Sequence, residues 1–385
     1  MPAASQELIR NINNNLILES IINYDPISRA DLSKKLNLTK ATISAIVQDL
    51  IDESLVIEIG SKDTHVGRKP ILLCFNQKCA YAISIDLSAE YIAVYLSDLK
   101  GEKIYYSRYK NTLDSSTLLK KLKAIIKHTL TLVPNSKYGV VGITIGIHGI
   151  TFNNEVIFTP YYDLTNLDIA SDLNKTFEIP VYLENEANLS VIGEKTFFND
   201  YSNIVNISIH TGVGLGIVVD NKLYTGYSGF AGEFGHSIVV PNGKPCPCGN
   251  KGCLEQYISE TSILREYSNL KGFEVKDIDI LISDYLYGDI EANQVIKSFI
   301  DYMSIAINNI LNTFNPNIII INSAITTYLP NIIDKIKASM NNRMSKYINI
   351  APTTLQNTSI LLGGVYIVSK NFLKIDNLVL SSRYD

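Results

Sequence analysis

His236, Cys246, Cys248 and Cys253 read H-x9-C-x-C-x4-C. Three thiolates and one imidazole are a preferred tetrahedral set for zinc, and a closed set of four leaves no position for water, so Zn2+ here is expected to be structural. Gly243, Gly249 and Gly252, with Pro245 and Pro247, let the backbone wrap round an ion. The alternative is free thiols in a loop. Five cysteines, an odd number with three crowded together, make poor disulfide arithmetic. Cys74 and Cys79 sit in apolar surroundings and are expected to be small buried hydrophobes. A metal that tethers a loop also orients its neighbours, and the neighbours are Glu233 and Glu255. Elsewhere, Glu184-Asn185-Glu186-Ala187-Asn188 follows an expected strand at 180–183 and opens a helix. Carboxylates and an amide at a strand end suit a polyhydroxyl ligand, since each can take a pair of hydroxyls. Taken alone, that stretch reads first as a capped helix start.

A second chemistry lies in the first 75 residues. Ile9, Ile12, Leu16 and Leu18 recur at helical spacing until Asp25-Pro26 breaks the pattern. Ser28 with Asp31 resembles a capping box and opens a second helix; Thr39 is a good N-cap for a third, with Ile43, Ile46, Val47, Leu50 and Ile51 as its apolar stripe. Its outer face shows Lys40, Ala41, Thr42, Ser44, Ala45 and Gln48, short or polar groups that let a helix approach a groove floor. Strand-like segments at 55–59 and 70–75 flank a Gly- and charge-bearing tip. Together these make a winged helix-turn-helix. The alternative is a small packing domain with solvated charges. Charge distribution argues for DNA: Arg29, Lys34, Lys35 and Lys40 face only Asp31, and Lys62, Arg68 and Lys69 face only Asp63. Thr39, Lys40, Thr42, Ser44 and Gln48 are the expected base or phosphate contacts, with Arg68 and Lys69 on the wing.

These residues need elements to hold them. A chain of 385 residues, 46% hydrophobic and 19% charged, implies two or three domains with their own cores. No apolar run approaches the ~18–20 residues of a membrane span, and the N-terminal stretch lacks the pattern of a signal peptide, so a cytoplasmic protein is expected. A net charge of −4 confines DNA binding to a local basic patch. Residues 82–86, 91–97 and 103–107 read as a three-strand meander, and 204–210, 214–220 and 222–224 repeat it, each leading into helix and further strand. The fold class is therefore α/β, one unit used twice with a cleft between lobes, behind the N-terminal winged helix-turn-helix. The boundaries read as 1–78 for the DNA-binding domain, 79–184 with 361–385 for the first lobe, and 185–360 for the second lobe with the zinc site.

The zinc loop, the segments G-E-F-G-H and E-N-E-A-N, and Thr211-Gly212-Val213-Gly214-Leu215-Gly216 resemble the family of repressors, open reading frames and sugar kinases, the ROK family. The N-terminal segments I-S-R-A-D-L-S and V-G-R-K-P are similar to its transcription-factor branch, in particular its xylose-responsive members. The resemblance implies a duplicated actin/hexokinase-like two-lobe fold. It also implies sugar contacts from Asn185, Glu186, Glu233, His236 and Glu255, with His236 serving zinc through one ring nitrogen and sugar through the other. His148 stands where the family usually has Pro, before Gly149. The kinases carry D-x-G-x-T as a first phosphate loop; this chain has Asp86-Leu87-Ser88-Ala89-Glu90, without glycine and with a carboxylate that repels phosphate. Their Gly-rich adenosine segment is here Ile321-Asn322-Ser323-Ala324-Ile325. The expected protein is no enzyme but a homodimeric repressor that binds operator DNA and releases it on binding D-xylose. The alternatives are a relative answering to glucose or N-acetylglucosamine, and an ATP-dependent sugar kinase.

Overall fold

The computed structural model describes residues 3–61, 71–111, 115–160, 164–197, 201–340, 349–355 and 358–378. Helix α1 (Ala3–Asn23) leads into strand β1 (Ile27–Ser28), helices α2 (Arg29–Leu36) and α3 (Lys40–Asp52), and strands β2 (Val56–Ser61) and β3 (Ile71–Phe75). The strands pair antiparallel in the order β1-β3-β2. Local chemistry sets the boundaries. Ser28 Oγ accepts from the Asp31 amide to start α2, Asn37 ends it at φ 52°, and Thr39 Oγ1 accepts from the Thr42 amide to start α3. Ile43, Ile46, Val47 and Leu50, buried at i, i+3, i+4 and i+7, share one core with Ile17, Ile21 and Leu32. Cys79 is buried in this core as expected. Cys74 is only half-buried, because β3 turns Leu73 and Phe75 inward and alternation carries Cys74 to the other face.

Beyond this head the chain builds the same unit twice. The first comprises β4 (Tyr81–Leu87), β5 (Tyr91–Asp98), β6 (Lys103–Lys110), α4 (Ser115–Leu130), β7 (Val140–Ile147), a hairpin of β8 (Ile150–Phe152) and β9 (Glu155–Phe158), α5 (Ile169–Phe177) and β10 (Val181–Asn185). The second follows α6 (Glu186–Phe197). It comprises β11 (Ile204–Ile209), β12 (Val213–Val219), β13 (Lys222–Leu223), α7 (Glu255–Ile258), α8 (Glu260–Lys271), α9 (Ile278–Leu286), α10 (Ile290–Phe314), β14 (Ile318–Asn322), α11 (Ala324–Tyr328), α12 (Asn331–Ser339) and β15 (Ile350–Pro352), before α13 (Ser359–Leu373). The sheets run β10-β7-β4-β5-β6 and β13-β12-β11-β14-β15. Counted within each unit, that is one topology: an antiparallel meander whose first strand is flanked by parallel fourth and fifth strands. No helix among the described residues is long and apolar enough to cross a membrane.

Two helices tie the units together. α6 and α13 cross so closely that a Cβ on Gly193 would lie 2.1 Å from the Ser359 carbonyl oxygen, and one on Gly363 1.9 Å from that of Leu189. Only glycine permits such an approach. At the crossing Asn322 and Asn206 donate to Ser190, and Asn322 also to Ser359, so polar groups from the second sheet and both helices form one buried network. α13 then runs along β4 and β7, and its end joins the core of the head: Leu373, Ile375 and Leu378 pack with Ile17, Ile21 and Val47. The amides of Asn15 and Asn23 donate to the carbonyls of Lys374 and Asn377.

Candidate functional site

Parallel strands bring their carboxyl ends to one edge, the usual place for ligands in α/β sheets. Here those ends carry Asp86 on β4, His148 after β7, Asn185 on β10, His210 after β11 and Asn322 on β14. Asn185, Glu186, Glu233, His236 and Glu255 line one cleft between the sheets, walled on the first-unit side by His148, Gly149 and Phe158. All five residues expected to contact sugar therefore face the same space. Their commitments differ. Asn185 Nδ2 donates to the Gly149 carbonyl and its Oδ1 accepts from the Asn188 amide, so this side chain braces the cleft as well as facing it. Glu255 accepts from the Val213 amide at 3.3 Å. Glu186 Oε2 is buried without a hydrogen-bond partner among the described residues, an acceptor that requires a ligand or water. Burial pushes the Glu186 carboxyl up to about 7, with the His148 charge pulling the other way. Burial likewise raises Glu233 and Glu255, against the pull of His236.

The metal candidates converge. One ligand atom from each of His236, Cys246, Cys248 and Cys253 falls within a 4.8 Å cluster. Cys246 Sγ lies 3.5 Å from His236 Nδ1, and Cys248 Sγ 3.6 Å from Cys253 Sγ. A tetrahedral ion about 2.3 Å from sulfur and about 2.0 Å from nitrogen requires edges of roughly 3.5–3.8 Å, so the donor set fits. A backbone wrap holds it: the Cys246 amide donates to the Asn250 carbonyl and the Gly249 amide to the Cys246 carbonyl. Gly252, at φ 83°, has no room for a side chain, since a Cβ would sit 1.7 Å from the Val240 carbonyl oxygen. Gln256 donates to Cys246 Sγ and is itself held by Arg265, a support that orients the ligand. With Nδ1 turned to the thiolates, His236 presents Nε2 to the cleft, 3.8 Å from Glu233 Oε2. The same imidazole thus borders both the metal cluster and the acids.

Other residues were harder to foresee. Asp86 is buried; its Oδ1 accepts from His148 Nε2 at 2.8 Å and its Oδ2 from the Tyr91 hydroxyl at 2.8 Å. Burial alone would raise Asp86, yet His148 and Tyr91 together hold it below its ordinary value. Burial works against the His148 charge, and Asp86 with Glu186 outweighs it, lifting the imidazole to about 9. Arg108 stacks 3.7 Å from the Tyr91 ring centroid. The available signal was a polar residue at the end of each parallel strand. Beyond His148 and His210 the cleft opens into a second one of about 370 Å³, bordered by Glu90, Glu260, Asp277 and Asp279 against Arg108 and Lys276. Burial pushes the Glu260 carboxyl up to about 7, with the Ala324 amide at the start of α11 drawing it down.

On the head, Thr39, Lys40, Ser44 and Gln48 are exposed. Thr42 is only half-buried at the surface, its hydroxyl 2.9 Å from that of Thr39, so both threonines serve the cap of α3. Gln48 donates to Asp52. Arg29 pairs with Glu58 at 2.8 Å, leaving Lys34, Lys35 and Lys40 as exposed cations without an acidic partner among the described residues. Arg68 and Lys69 lie outside the described residues.

The profile of the ROK family matches residues 82–371. A xylose repressor of Bacillus spizizenii is 37% identical over 97% of this chain and 99% of its own length. A crystal structure of a ROK family transcriptional regulator, a homolog of the E. coli MLC protein, superposes with a TM-score of 0.79 at 27% identity, covering 97% of this chain and 98% of that one. A ROK glucokinase from Streptomyces griseus, solved with glucose and AMPPNP, matches 74% of this chain and 98% of its own at a TM-score of 0.66 and 22% identity, a likeness of fold. That likeness spans the two α/β lobes, the actin-like architecture of the pair of sheets.

Proposed function

Since the chain belongs to the ROK family, we propose that it is a sugar-responsive transcriptional repressor, working in the cytoplasm as a homodimer on pseudo-palindromic operator DNA and releasing it on binding D-xylose. Residues 1–78 form a winged helix-turn-helix whose α3 enters the major groove, with Lys40, Ser44 and Gln48 toward bases or phosphates, Thr39 and Thr42 at the cap, and Arg68 and Lys69 on the wing. Residues 79–184 with 361–385 form the first lobe, and 185–360 the second. The effector sits between them on Asn185, Glu186, Glu233, His236 and Glu255. Zinc held by His236, Cys246, Cys248 and Cys253 supplies a rigid tether that keeps His236 Nε2 and Glu233 aimed at the sugar.

One observation carries this reading: α13 starts at the crossing of the lobes and ends within the core of the head. Because α6 and α13 touch backbone to backbone at Gly193 and Gly363, closure of the lobes turns α13 about that contact and moves the head with it. A 5–150-fold change in DNA affinity needs only about 1–3 kcal/mol of such coupling.

The chain is not an enzyme; the relative that matches it at 37% identity over nearly its full length is a repressor. The site agrees with that. Asp86, at the head of the first phosphate loop, is bound by His148 and Tyr91. Ser88-Ala89-Glu90 gives phosphate no glycine and a repelling charge, and the Glu260 carboxylate lines the same cleft as Asn322, Ser323 and Ala324 of the segment that corresponds to the adenosine loop.

Calorimetry with D-xylose, D-glucose and N-acetyl-D-glucosamine tests the effector. D-xylose is expected to bind best, with an affinity that rises with pH. Sugar hydroxyls donate to the ionised Glu186, so binding favours the carboxylate, lowers its pKa and releases a proton. Affinity should therefore climb up to ~10-fold per pH unit below about pH 7 and level off above it. Glu186→Gln should flatten that profile. A profile unchanged by this substitution would remove Glu186 from the sugar contacts, and best binding of another sugar in the panel would replace D-xylose as effector.

A further inference from the structure

We propose that His210 is a sugar-reading residue of the cleft, donating a hydrogen bond from its imidazole to one hydroxyl of the bound monosaccharide. This rests on the sugar reading of the cleft given above. His210 follows β11 on the wall that the effector cleft shares with the larger acidic cleft, together with Ser88, His148 and Thr211. Its backbone is fixed at both ends: its amide donates to the Gly212 carbonyl at 3.0 Å, and its carbonyl accepts from the Glu260 amide at 2.9 Å. The ring nitrogens make no hydrogen bond among the described residues. A half-buried imidazole on the cleft wall, held by its backbone with both ring nitrogens uncommitted, is open to a ligand in the cleft.

The chemistry of the surroundings says what that partner is. Burial and the neighbouring His148 charge push His210 down to about 4, so at neutral pH the ring keeps one N–H donor and one acceptor. A hydroxyl has the same dual character. The other groups on the cleft are mostly acceptors: Glu186, Glu233 and Glu255 offer carboxylate oxygens, the Asn185 amide braces Gly149, and His148 Nε2 is held by Asp86. A polyol presents as many oxygens as protons, and a site of carboxylates alone would leave those oxygens unmatched. His210 and His236, both lining the cleft, supply donors. His210 borders both clefts, so the hydroxyl it reads lies on the side that faces the larger acidic cleft.

The test is calorimetry on the full chain with D-xylose and its 2-, 3- and 4-deoxy analogues, comparing the wild type with His210→Phe, which keeps a ring without nitrogens, and His210→Gln, which restores a donor. His210→Phe should weaken D-xylose binding about 10- to 100-fold. One deoxy analogue, lacking the hydroxyl that His210 reads, should bind wild type and His210→Phe alike, and His210→Gln should recover part of the loss. Undiminished D-xylose binding by His210→Phe would overturn the proposal while leaving the sugar cleft intact, and so would equal losses for every analogue. If His210→Phe does not fold, the same comparison is read from His210→Gln and His210→Ala. A wild type that binds none of D-xylose, D-glucose and N-acetyl-D-glucosamine would overturn the sugar reading and this inference with it.

Discussion

Cys246→Ser, or removal of the metal with a strong chelator, is expected to abolish the sugar response and lower the melting temperature by about 10 °C. The loop that carries the cysteines has few apolar anchors: Cys248 is exposed, and the backbone turns at Gly249 and Gly252 rely on positive φ angles that an untethered chain has little reason to keep. Without the ion, His236 Nδ1 loses its partners, Nε2 loses its aim, and the short turn of residues 234–236 with Glu233 at its start is released. Two sugar contacts then fail together, so sugar affinity should fall by about 100-fold or more. Cys246→Ser also strands Gln256 and Arg265, which support the buried sulfur. Operator binding in the absence of sugar should persist, because no residue of the metal loop belongs to the core of the head. Metal analysis, melting and calorimetry on one preparation check this. A metal-free protein with undiminished sugar affinity would show that the cluster does not order the cleft.

Ala45→Glu is expected to reduce operator affinity by about 100-fold or more while leaving melting and sugar binding unchanged. Ala41, Ser44, Ala45 and Gln48 are all exposed and lie at i, i+3, i+4 and i+7, on the face opposite the buried stripe of Ile43, Ile46, Val47 and Leu50. Small side chains there let α3 reach the groove floor, and a carboxylate would meet the acceptor edges and phosphates of DNA. In the helix itself the exchange costs only a few tenths of a kcal/mol. Retained affinity would mean that another surface of the head meets DNA.

What could be read from the sequence follows from how far apart the interacting residues lie. Helix caps at Ser28 and Thr39, the alternation of the strands and the cysteine loop are local patterns, and each has its counterpart in the structure. The cleft acids were legible because Glu186 opens a helix after a strand and Glu233 and Glu255 flank the metal loop. The hold of His148 on Asp86, 62 residues away, depends on β4 and β7 lying side by side. Sequence spacing carries no trace of that. The approach of α6 to α13 and the burial of Leu373 in the head likewise need contacts between distant parts of the chain. His210 was hidden for a different reason: it sits in a glycine-rich turn whose neighbours satisfy an ordinary β-turn, and only the shared wall of two clefts reveals where it points.

The most direct test of the account is a gel-shift titration of the purified protein on the DNA upstream of its own gene neighbourhood. It is run at one salt concentration with millimolar D-xylose, D-glucose or ATP, and without addition. The account predicts tight binding by the free protein, a drop of about 5- to 150-fold with D-xylose, and no effect of ATP. Binding that is indifferent to D-xylose, or released by ATP, would contradict it.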